Sequence, residues 1–457
     1  MRTFAIISLL AALPLAAQQD SGLDRKLSDK IDATLKENRA PGASVALVLD
    51  GKLAFAKAFG NASLDPQRPA TPETRYAVGS ISKQFTAASV LLLQEEGKLS
   101  LDDKVAKYFP GLTRANEVSI RQLLSHTSGY EDYAPQDYII PDWTHATTPQ
   151  TTLDKWAKKP LNFDPGTKWQ YSNTNYVLAG AIVEKVSGQP LLAFLRSHIF
   201  DPLGMQSAGD CFETPGPSDA TAYTRFAGGP PRPVKREAAG WYFAAGELCM
   251  TPSDLAKWDM AFLRKEILSA KSYDEFTREV RLANGDGTGY ALGLSIGDFH
   301  RIPTISHSGE VSGFISSNAI YPTRRGAIVV LTNEDGVNLI GPISTAIATA
   351  AFLPEDPPQS KQADAQTKQI LEGLRQGKVD RALFTSNANS YFTGAALSDI
   401  QNSLKPLGKL KSLTRASETL RGGMTHRNYR AAFEKKTVTL NIYVMPDGKY
   451  EQFMVEE

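Results

Sequence analysis

The 457-residue chain has almost no net charge, with 50 lysines and arginines against 49 aspartates and glutamates. Without a broad basic face it is a poor partner for nucleic acid or for an anionic membrane surface. Two cysteines and six scattered histidines exclude an iron–sulfur protein and a zinc ribbon. The motifs HExxH, paired CxxC and GxxxxGK[ST] are also missing. We therefore expect neither a metal nor a nucleotide cofactor.

Long apolar runs are also missing beyond the first seventeen residues, which differ from all that follows. Met1-Arg2 supplies a positive charge, 4–15 is nearly all apolar, and Ala16-Ala17 precedes a polar stretch. This order is typical of a secretory signal peptide, and the run is shorter than the roughly 20 residues of a membrane span. We expect 1–17 to be a signal peptide and the mature protein to be periplasmic or secreted, without an integral membrane segment.

Export would place Cys211 and Cys249 in an oxidising compartment, where a disulfide between them is permitted. The residues alone do not decide whether the bond forms. They also leave the oligomeric state open.

Apolar periodicity predicts an α/β (α+β) fold with an antiparallel sheet flanked by helices. An all-helical lobe is expected to be inserted at 100–205. Near the N-terminus we expect a helix at 23–38, strands at 43–49 and 52–60 joined by Asp50-Gly51, and a helix at 80–96 ended by Gly97. Later we expect strands at 290–296, 314–321 and 327–333 and a helix at 339–352. The sheet is thus assembled from both ends of one domain, 18–353.

The segment 354–364 begins with a run rich in proline and acid and is predicted to be a linker. Beyond it, 365–457 is predicted to form a small α+β accessory domain. Its expected elements are helices at 368–376, 380–383 and 396–404 and a strand at 437–444. It contains no catalytic constellation of its own.

Candidate catalytic residues lie in three short stretches. In Gly79-Ser80-Ile81-Ser82-Lys83 the lysine follows the serine by about one helical turn, so its amine can reach the hydroxyl Oγ. A serine needs such a base, and a buried lysine can be neutral enough to act as one. Taken alone, however, Ser-x-x-Lys also occurs at many ordinary helix starts.

The second stretch contains Tyr171 and Asn173, and the third is His307-Ser308-Gly309. A phenol beside an amine can transfer protons, and an asparagine can orient both the lysine and a substrate amide. Gly309 would let a substrate backbone lie against a strand edge, and His307 would add a hydrogen-bond donor. Singly, each stretch also fits an ordinary polar loop.

In this order, Ser-x-x-Lys, Tyr-x-Asn and a basic residue followed by small-Gly resemble the penicillin-recognising serine hydrolases. The chain is similar to the serine β-lactamase and D,D-peptidase superfamily, in the class C β-lactamase-like branch that includes D-alanyl carboxypeptidases, D-aminopeptidases and carboxylesterases. Supporting stretches are 123–129, 202–205, 245–248 and 251–255. The resemblance covers roughly residues 24–353.

The resemblance implies that Ser80 is the acylated nucleophile and that Lys83 and Tyr171 share proton transfer. It also implies that Asn173, His307, Ser308, Gly309 and Glu310 bind substrate, the backbone N–H groups of Ser80 and Glu310 forming an oxyanion hole. The expected function is that of an exported serine hydrolase. It would cleave an ester or a peptide-type amide in a small-molecule or peptide substrate.

A β-lactamase proper and a non-catalytic penicillin-binding sensor are the alternatives. The complete Ser80, Lys83 and Tyr171 set favours the enzyme. His307 stands where β-lactamases of this branch usually carry lysine, so we expect a substrate carboxylate to be held by neutral hydrogen bonds and β-lactams to be poor substrates.

A lipase of the α/β-hydrolase class would place its serine in a Gly-x-Ser-x-Gly elbow between a strand and a helix. Gly293-Leu294-Ser295-Ile296-Gly297 matches in letters, but a turn is predicted after it in place of a helix. The lipase interpretation is therefore rejected.

Overall fold

A computed structural model of the protein describes residues 16–136, 138–210, 212, 216–353 and 358–456. The predicted signal peptide lies outside these residues except for Ala16 and Ala17. Cys211 also lies outside them, so the structure does not test whether it pairs with Cys249. The chain divides into a first unit, Met1–Leu353, and a second unit, Pro354–Glu457.

The first unit is built from both helices and strands. Its helices are α1 Ala16–Asn38, α2 Ser82–Glu95, α3 Ile120–Leu124, α4 Pro149–Trp156, α5 Asn173–Ser187, α6 Leu191–Leu195, α7 Asp201–Leu203, α8 Pro252–Arg264, α9 Ala270–Thr277 and α10 Ile340–Phe352. Its strands are β1 Gly42–Leu49, β2 Lys52–Leu64, β3 Gln67–Pro69, β4 Tyr76–Ala77, β5 Gly209–Asp210, β6 Tyr223–Thr224, β7 Arg232–Pro233, β8 Leu248–Met250, β9 Ser295–Phe299, β10 Ile302–Val311, β11 Phe314–Tyr321 and β12 Gly326–Thr332. Short single-turn helices include the 3-10 turns Gly79–Ile81 and Phe243–Ala245.

A seven-stranded sheet in the order β3-β2-β1-β12-β11-β10-β9 forms the centre of the first unit, and its pairs are antiparallel. Because β1 pairs with β12, the first and last strands of the unit meet side by side, as predicted. In β1, Val45 and Leu47 belong to the core shared with α1 and α10, whereas Ala46 and Val48 belong to the core on the helical side. Burial on both faces explains why this strand is a continuous apolar run.

The predicted hairpin between β1 and β2 is confirmed. Asp50 and Gly51 have φ values of 49° and 74°, both left-handed, as a two-residue turn between twisted antiparallel strands requires. Gly97, with φ of 70°, follows the end of α2 as expected. The helical lobe expected between the strands is also present and contains α3 to α7.

The start of β9 differs from the prediction of a strand at 290–296. The strand begins at Ser295, because Gly293 has φ of 75° and turns the chain against the backbone of α2. Leu292 and Leu294 are apolar because they are buried in this turn. Ser295 is the first residue of β9, which a turn joins to β10, so the Gly-x-Ser-x-Gly letters form no elbow before a helix.

The second unit is an α+β domain with its own core. Its elements are α11 Pro358–Arg375, α12 Ser386–Tyr391, α13 Gly394–Leu404, β13 Leu410–Arg421, β14 Met424–Phe433, β15 Thr437–Val444 and β16 Tyr450–Glu456. The strands form one antiparallel sheet in sequence order, and the core lies between the sheet and the helices.

Residues 358–364, predicted as part of a linker, lie in α11. The apolar face of this helix begins only near Ile370, so the sequence pattern does not reveal its first half. Asp364 stabilises that half, since it accepts a hydrogen bond from the Tyr429 hydroxyl at 2.7 Å and pairs with Arg415.

Among the described residues no single helix is both long and apolar enough to cross a bilayer. The bent pair formed by 173–187 and 191–203 meets the test by length and composition alone. Both of its helices belong to the buried core of the first unit.

Candidate active site

Ser80 lies in the 3-10 turn that leads into α2, and Lys83 lies in the first turn of that helix. The Lys83 Nζ is 2.8 Å from the Ser80 Oγ, so the pair predicted from the spacing is in contact. Gly79 makes this possible: its φ is 53°, and a Cβ there would stand 2.9 Å from the Glu310 backbone nitrogen. The turn therefore brings Ser80 directly against β10.

Lys83 is fully buried, and its amine has three polar contacts. Besides Ser80, these are the Asn173 Oδ1 at 2.8 Å and the Ala245 carbonyl oxygen at 2.7 Å. Burial disfavours the charged amine and lowers the pKa of Lys83 to about 7, although the Asp132 carboxylate partly opposes this. Near neutral pH a large fraction of the amine is therefore uncharged.

The three contacts of Lys83 are not equivalent. The oxygens of Asn173 and Ala245 are carbonyl oxygens, which can only accept, so each takes one N–H of the amine. A neutral amine has two N–H bonds and one lone pair, and the remaining direction leads to the Ser80 Oγ. In its neutral form Lys83 thus presents a lone pair to the serine hydroxyl.

Tyr171 completes the group around the serine. Its ring centroid is 4.9 Å from the Lys83 Nζ. Burial raises the pKa of Tyr171 well above its ordinary value, although a hydrogen bond with Ser80 works in the opposite direction. Tyr171 is therefore a protonated phenol at neutral pH.

Asn173 is oriented by Asp132, which the sequence analysis did not identify. Asp132 Oδ1 accepts hydrogen bonds from the Asn173 backbone N–H at 2.9 Å and from its Nδ2 at 3.2 Å. With the nitrogen of the amide held in this way, its oxygen points to Lys83. Burial raises the pKa of Asp132, although these hydrogen bonds act to lower it. No local motif signals this aspartate, since it comes from a loop.

His307 lines the opposite wall, but both nitrogens of its ring form hydrogen bonds within the protein. Its Nδ1 is 2.5 Å from the Ser308 carbonyl oxygen and must be the donor there, so the neutral ring accepts at Nε2 from the Tyr290 hydroxyl, 2.8 Å away. Burial and the nearby Lys83 lower the pKa of His307 to about 3. The expectation that His307 offers a donor to substrate is therefore wrong, because both nitrogens are occupied.

A second histidine, His126, lies fully buried behind Tyr171, with ring centroids 4.3 Å apart. Its Nδ1 accepts from the Ser172 backbone N–H at 3.2 Å. Burial, followed by Lys83 and His307, lowers its pKa well below the ordinary value, so it is neutral. The stretch 123–129, cited above only as typical of the family, contains this residue.

Gly309 meets a packing requirement that the sequence analysis did not identify. A Cβ at this position would meet the Val78 carbonyl oxygen at 1.9 Å and the Ser316 Oγ at 2.6 Å. The glycine therefore permits β10 to approach the turn that carries Ser80, and its predicted contact with a substrate backbone stays a prediction.

The site opens into a cavity of about 610 Å³. The predicted residues that line it are Ser80, Tyr171, Asn173, His307, Ser308 and Glu310. Lys83 is reached through Ser80, and Gly309 packs on the other side. β9 pairs with β10 only as far as Ser306, and the next residues of β10 border the cavity.

No group of three or more histidine, cysteine, aspartate or glutamate side chains among the described residues could hold a metal ion.

Comparison with known proteins agrees with this geometry. Penicillin-binding protein 4* of Bacillus subtilis (strain 168) is 27% identical over 338 residues, which are 68% of this chain and 72% of that protein. The structure of a D-stereospecific amidohydrolase from Streptomyces sp. has a TM-score of 0.61 and 26% identity, over 72% of this chain and 98% of that one.

The octameric penicillin-binding protein homologue from Pyrococcus abyssi has a TM-score of 0.64 over 95% of this chain and 99% of that one. At 22% identity this likeness shows the fold alone, and it extends into the second unit.

The Beta-lactamase family profile matches residues 27–384, well over half of the chain. Together with the fold and the related hydrolases, this match shows that the chain is a serine hydrolase belonging to the Beta-lactamase family, within the serine β-lactamase and D,D-peptidase superfamily.

Proposed function

We propose that the protein is an exported hydrolase that cleaves an ester or amide through an acyl-enzyme on Ser80. The contacts of Lys83 are the observation that supports this most directly. In the neutral amine the two N–H groups donate to the Asn173 and Ala245 carbonyl oxygens and the lone pair faces the Ser80 Oγ. The pKa of Lys83, about 7, makes this neutral form available. These are the properties of a general base at neutral pH.

In acylation, neutral Lys83 takes the proton of Ser80 while Oγ forms a bond to the carbonyl carbon of the substrate. Negative charge then develops on the carbonyl oxygen. The backbone N–H groups of Ser80 and Glu310 are the proposed donors to it, and the close approach at Gly79 places these two residues side by side.

Expulsion of the leaving group needs a proton, which we assign to Tyr171. Because its pKa is raised, Tyr171 holds a proton to donate, and protonated Lys83 replaces that proton. The bond to the alcohol or amine breaks, and the acyl group stays on Ser80. Water then attacks the ester, with the same groups moving protons in the reverse direction.

A β-lactamase proper is the weaker candidate. β-Lactams carry a carboxylate, and the cavity offers it neither a lysine at position 307 nor a donor from the histidine ring. A sensor without turnover would not require the aligned proton path from Ser80 through Lys83 to Tyr171.

A fluorophosphonate probe tests the nucleophile. We expect its mass on the peptide containing Ser80, and we expect the Ser80→Ala variant to lose both labelling and hydrolysis of p-nitrophenyl esters. Ser295→Ala is the matched control, since Ser295 is the serine of the Gly-x-Ser-x-Gly letters. Labelling that persists in Ser80→Ala, or that disappears in Ser295→Ala, would contradict the assignment.

Export is part of the proposal and is supported by the first seventeen residues. Expression of the full chain in a bacterial host should yield a protein that lacks these residues, as measured by intact mass. An unprocessed chain in the cytoplasmic fraction would argue against export.

A further inference from the structure

We infer that the acyl half of the substrate carries a cationic group, which Glu237 binds in the active-site cavity. The inference rests on the proposed function, since it specifies the substrate class of the same site. It follows from the charge of the cavity wall, from the burial of Glu237 and from the turn that joins β10 to β11.

The wall of the cavity is acidic. It is lined by four carboxylates, and no lysine or arginine among the described residues lines it. The carboxylates are Asp132, Glu237, Glu310 and Asp335. Against a chain whose total charge is near zero, this is a strong local excess of negative charge. Such a cavity attracts cations and repels carboxylates.

Glu237 is the carboxylate best suited to hold a ligand. It is only 4% exposed, and its Oε1 accepts from the Tyr242 hydroxyl and the Ser312 Oγ, both at 2.6 Å. Its Oε2 is buried and has no hydrogen-bond partner within the described part of the chain. A buried carboxylate oxygen without a donor is costly, and a cationic ligand would supply the missing donor or charge.

Asp335 adds a second carboxylate at the same turn. Its Oδ2 accepts from the Gly313 backbone N–H at 2.7 Å, next to the Ser312 that Glu237 binds. The two carboxylates thus accept hydrogen bonds from consecutive residues of the β10–β11 turn, and both line the cavity. Asp132, by contrast, is already committed to Asn173.

The position of this turn sets the reach of the substrate. Ser312 follows Glu310 by two residues and lies in the turn after β10, so at most about 7 Å of chain separates them. A group that reaches Glu237 while its carbonyl lies at Ser80 must therefore extend by up to about five bonds from the carbonyl carbon. Tyr171, the proposed proton donor to the leaving group, lies beside His307, with ring centroids 6.2 Å apart. Because His307 precedes Glu310 along β10 and Ser312 follows it, we assign the leaving group to the His307 side and the cation to the acyl part.

Aromatic rings complete the chemistry. Five of the residues lining the cavity are tyrosine or tryptophan. These are Tyr138, Trp143, Trp169, Tyr171 and Tyr242. Ring faces attract ammonium groups, most strongly where water is excluded. Carboxylates and aromatic faces together form the environment that recognises a primary or quaternary ammonium.

Three p-nitrophenyl esters test the inference. Their acyl chains have matched length and end in a trimethylammonium group, the isosteric tert-butyl group or a carboxylate. After correction for non-enzymatic hydrolysis, we expect kcat/KM for the cationic ester to exceed that for the neutral one about tenfold. The anionic ester should be the poorest, and added salt should reduce the preference.

Glu237→Gln should lower the ratio of cationic to neutral kcat/KM severalfold, and the remaining carboxylates and aromatic rings account for any preference that is left. Glu37→Gln, which removes the same charge from an exposed position on α1, should leave the ratio unchanged. If Glu237→Gln does not fold, cationic esters of different acyl length decide with the unaltered protein. A cationic preference that is greatest within about five bonds of the carbonyl carbon supports the inference, and a preference that does not depend on chain length overturns it.

Equal rates with all three esters, or a preference for the anionic one, would overturn the inference while leaving the Ser80 mechanism intact. Hydrolysis of none of them by the unaltered protein would overturn both.

Discussion

Gly309 and Val78 lie so close that a Cβ at position 309 would stand 1.9 Å from the Val78 carbonyl oxygen. The Ser316 Oγ donates to that same oxygen at 2.8 Å, so β10 and β11 both fix the residue that precedes the Ser80 turn. The sheet and Ser80, the proposed nucleophile, are therefore positioned by direct backbone contact, with no side chain of residue 309 in between.

Gly309→Ala should lower kcat for a small ester by about a hundredfold, because a shift of β10 by the size of a methyl group misaligns Ser80 and Glu310. It should also reduce the free energy of unfolding by about 1–3 kcal/mol. Steady-state kinetics and urea unfolding measure the two effects.

Gly297→Ala in β9 is the matched control. A Cβ there would be 3.5 Å from the Thr304 Oγ1, an ordinary contact. Both kcat and stability should stay near those of the unaltered protein. Full activity of Gly309→Ala would show that this contact does not position the nucleophile.

Activity should depend on pH through Lys83. Only the neutral amine can accept the Ser80 proton, and its pKa is about 7, so kcat/KM for a neutral ester should rise as the pH is raised through about 7. The pKa of His307 is about 3, so the histidine should add no inflection near 6.5.

The variant His307→Gln distinguishes the two groups. It should retain the inflection near pH 7 because Lys83 is unchanged. Disappearance of that inflection in the variant would assign the titration to the histidine and refute the role given to Lys83.

The sequence predicts those features that depend on neighbours in the chain. The Asp50-Gly51 turn and the Ser80–Lys83 contact are set by local geometry, one within a hairpin and the other within a helical turn. The left-handed Gly97 that follows α2 is likewise set by local chain geometry.

Features that depend on distant loops escaped prediction. Asp132, Tyr290 and Glu237 have no local motif, and only the fold brings them to the site. The start of β9 was misplaced because Leu292 and Leu294 are apolar for burial in a turn, which a strand pattern imitates.

Acid should destabilise the protein through its buried neutral histidines. His307 has a pKa of about 3 in the folded state, and His126 is also lowered, whereas unfolded histidines titrate near 6.5. Between these values the unfolded state binds more protons, so stability is lost as the pH falls from 6.5. From pH 7 to 4.5 the part due to His307 should be on the order of 2 kcal/mol.

Urea unfolding of the unaltered protein and of His307→Gln, each at pH 7 and 4.5, measures the loss of stability that is due to His307. The variant should lose less stability than the unaltered protein on acidification. Equal losses would mean that His307 is charged in the folded state.

Asp259 should make the protein less stable as the pH rises, which is the opposite of the histidine effect. It is fully buried, both of its oxygens lie 2.8 Å from the Asn318 Nδ2, and burial raises its pKa to about 8. Between pH 4 and 8 the folded state binds the extra proton, so the contribution of Asp259 to stability falls as the pH rises.

Asp259→Asn keeps the shape and removes the titration. Relative to this variant, the unaltered protein should lose about 1 kcal/mol or more between pH 5 and 8, as measured by thermal or urea unfolding. A constant difference between the two proteins across that range would contradict a neutral Asp259.

The second unit should be dispensable for the chemistry. The core residues of the first unit all precede residue 354, and those of the second unit form a separate cluster. A chain that ends at Leu353 should be soluble and hydrolyse a small ester to within about tenfold of the full chain. Aggregation of the shortened chain, or loss of ester cleavage, would show that the second unit completes the enzyme.

The burial of Lys83 has a consequence for the history of the chain. A fully buried amine weakens the folded state, since an apolar side chain of similar size would avoid the loss of hydration. A descendant released from catalysis would gain stability by replacing it, because active sites commonly sacrifice stability for activity. The burial of an amine beside Ser80 is therefore what selection for the proposed proton transfer would produce.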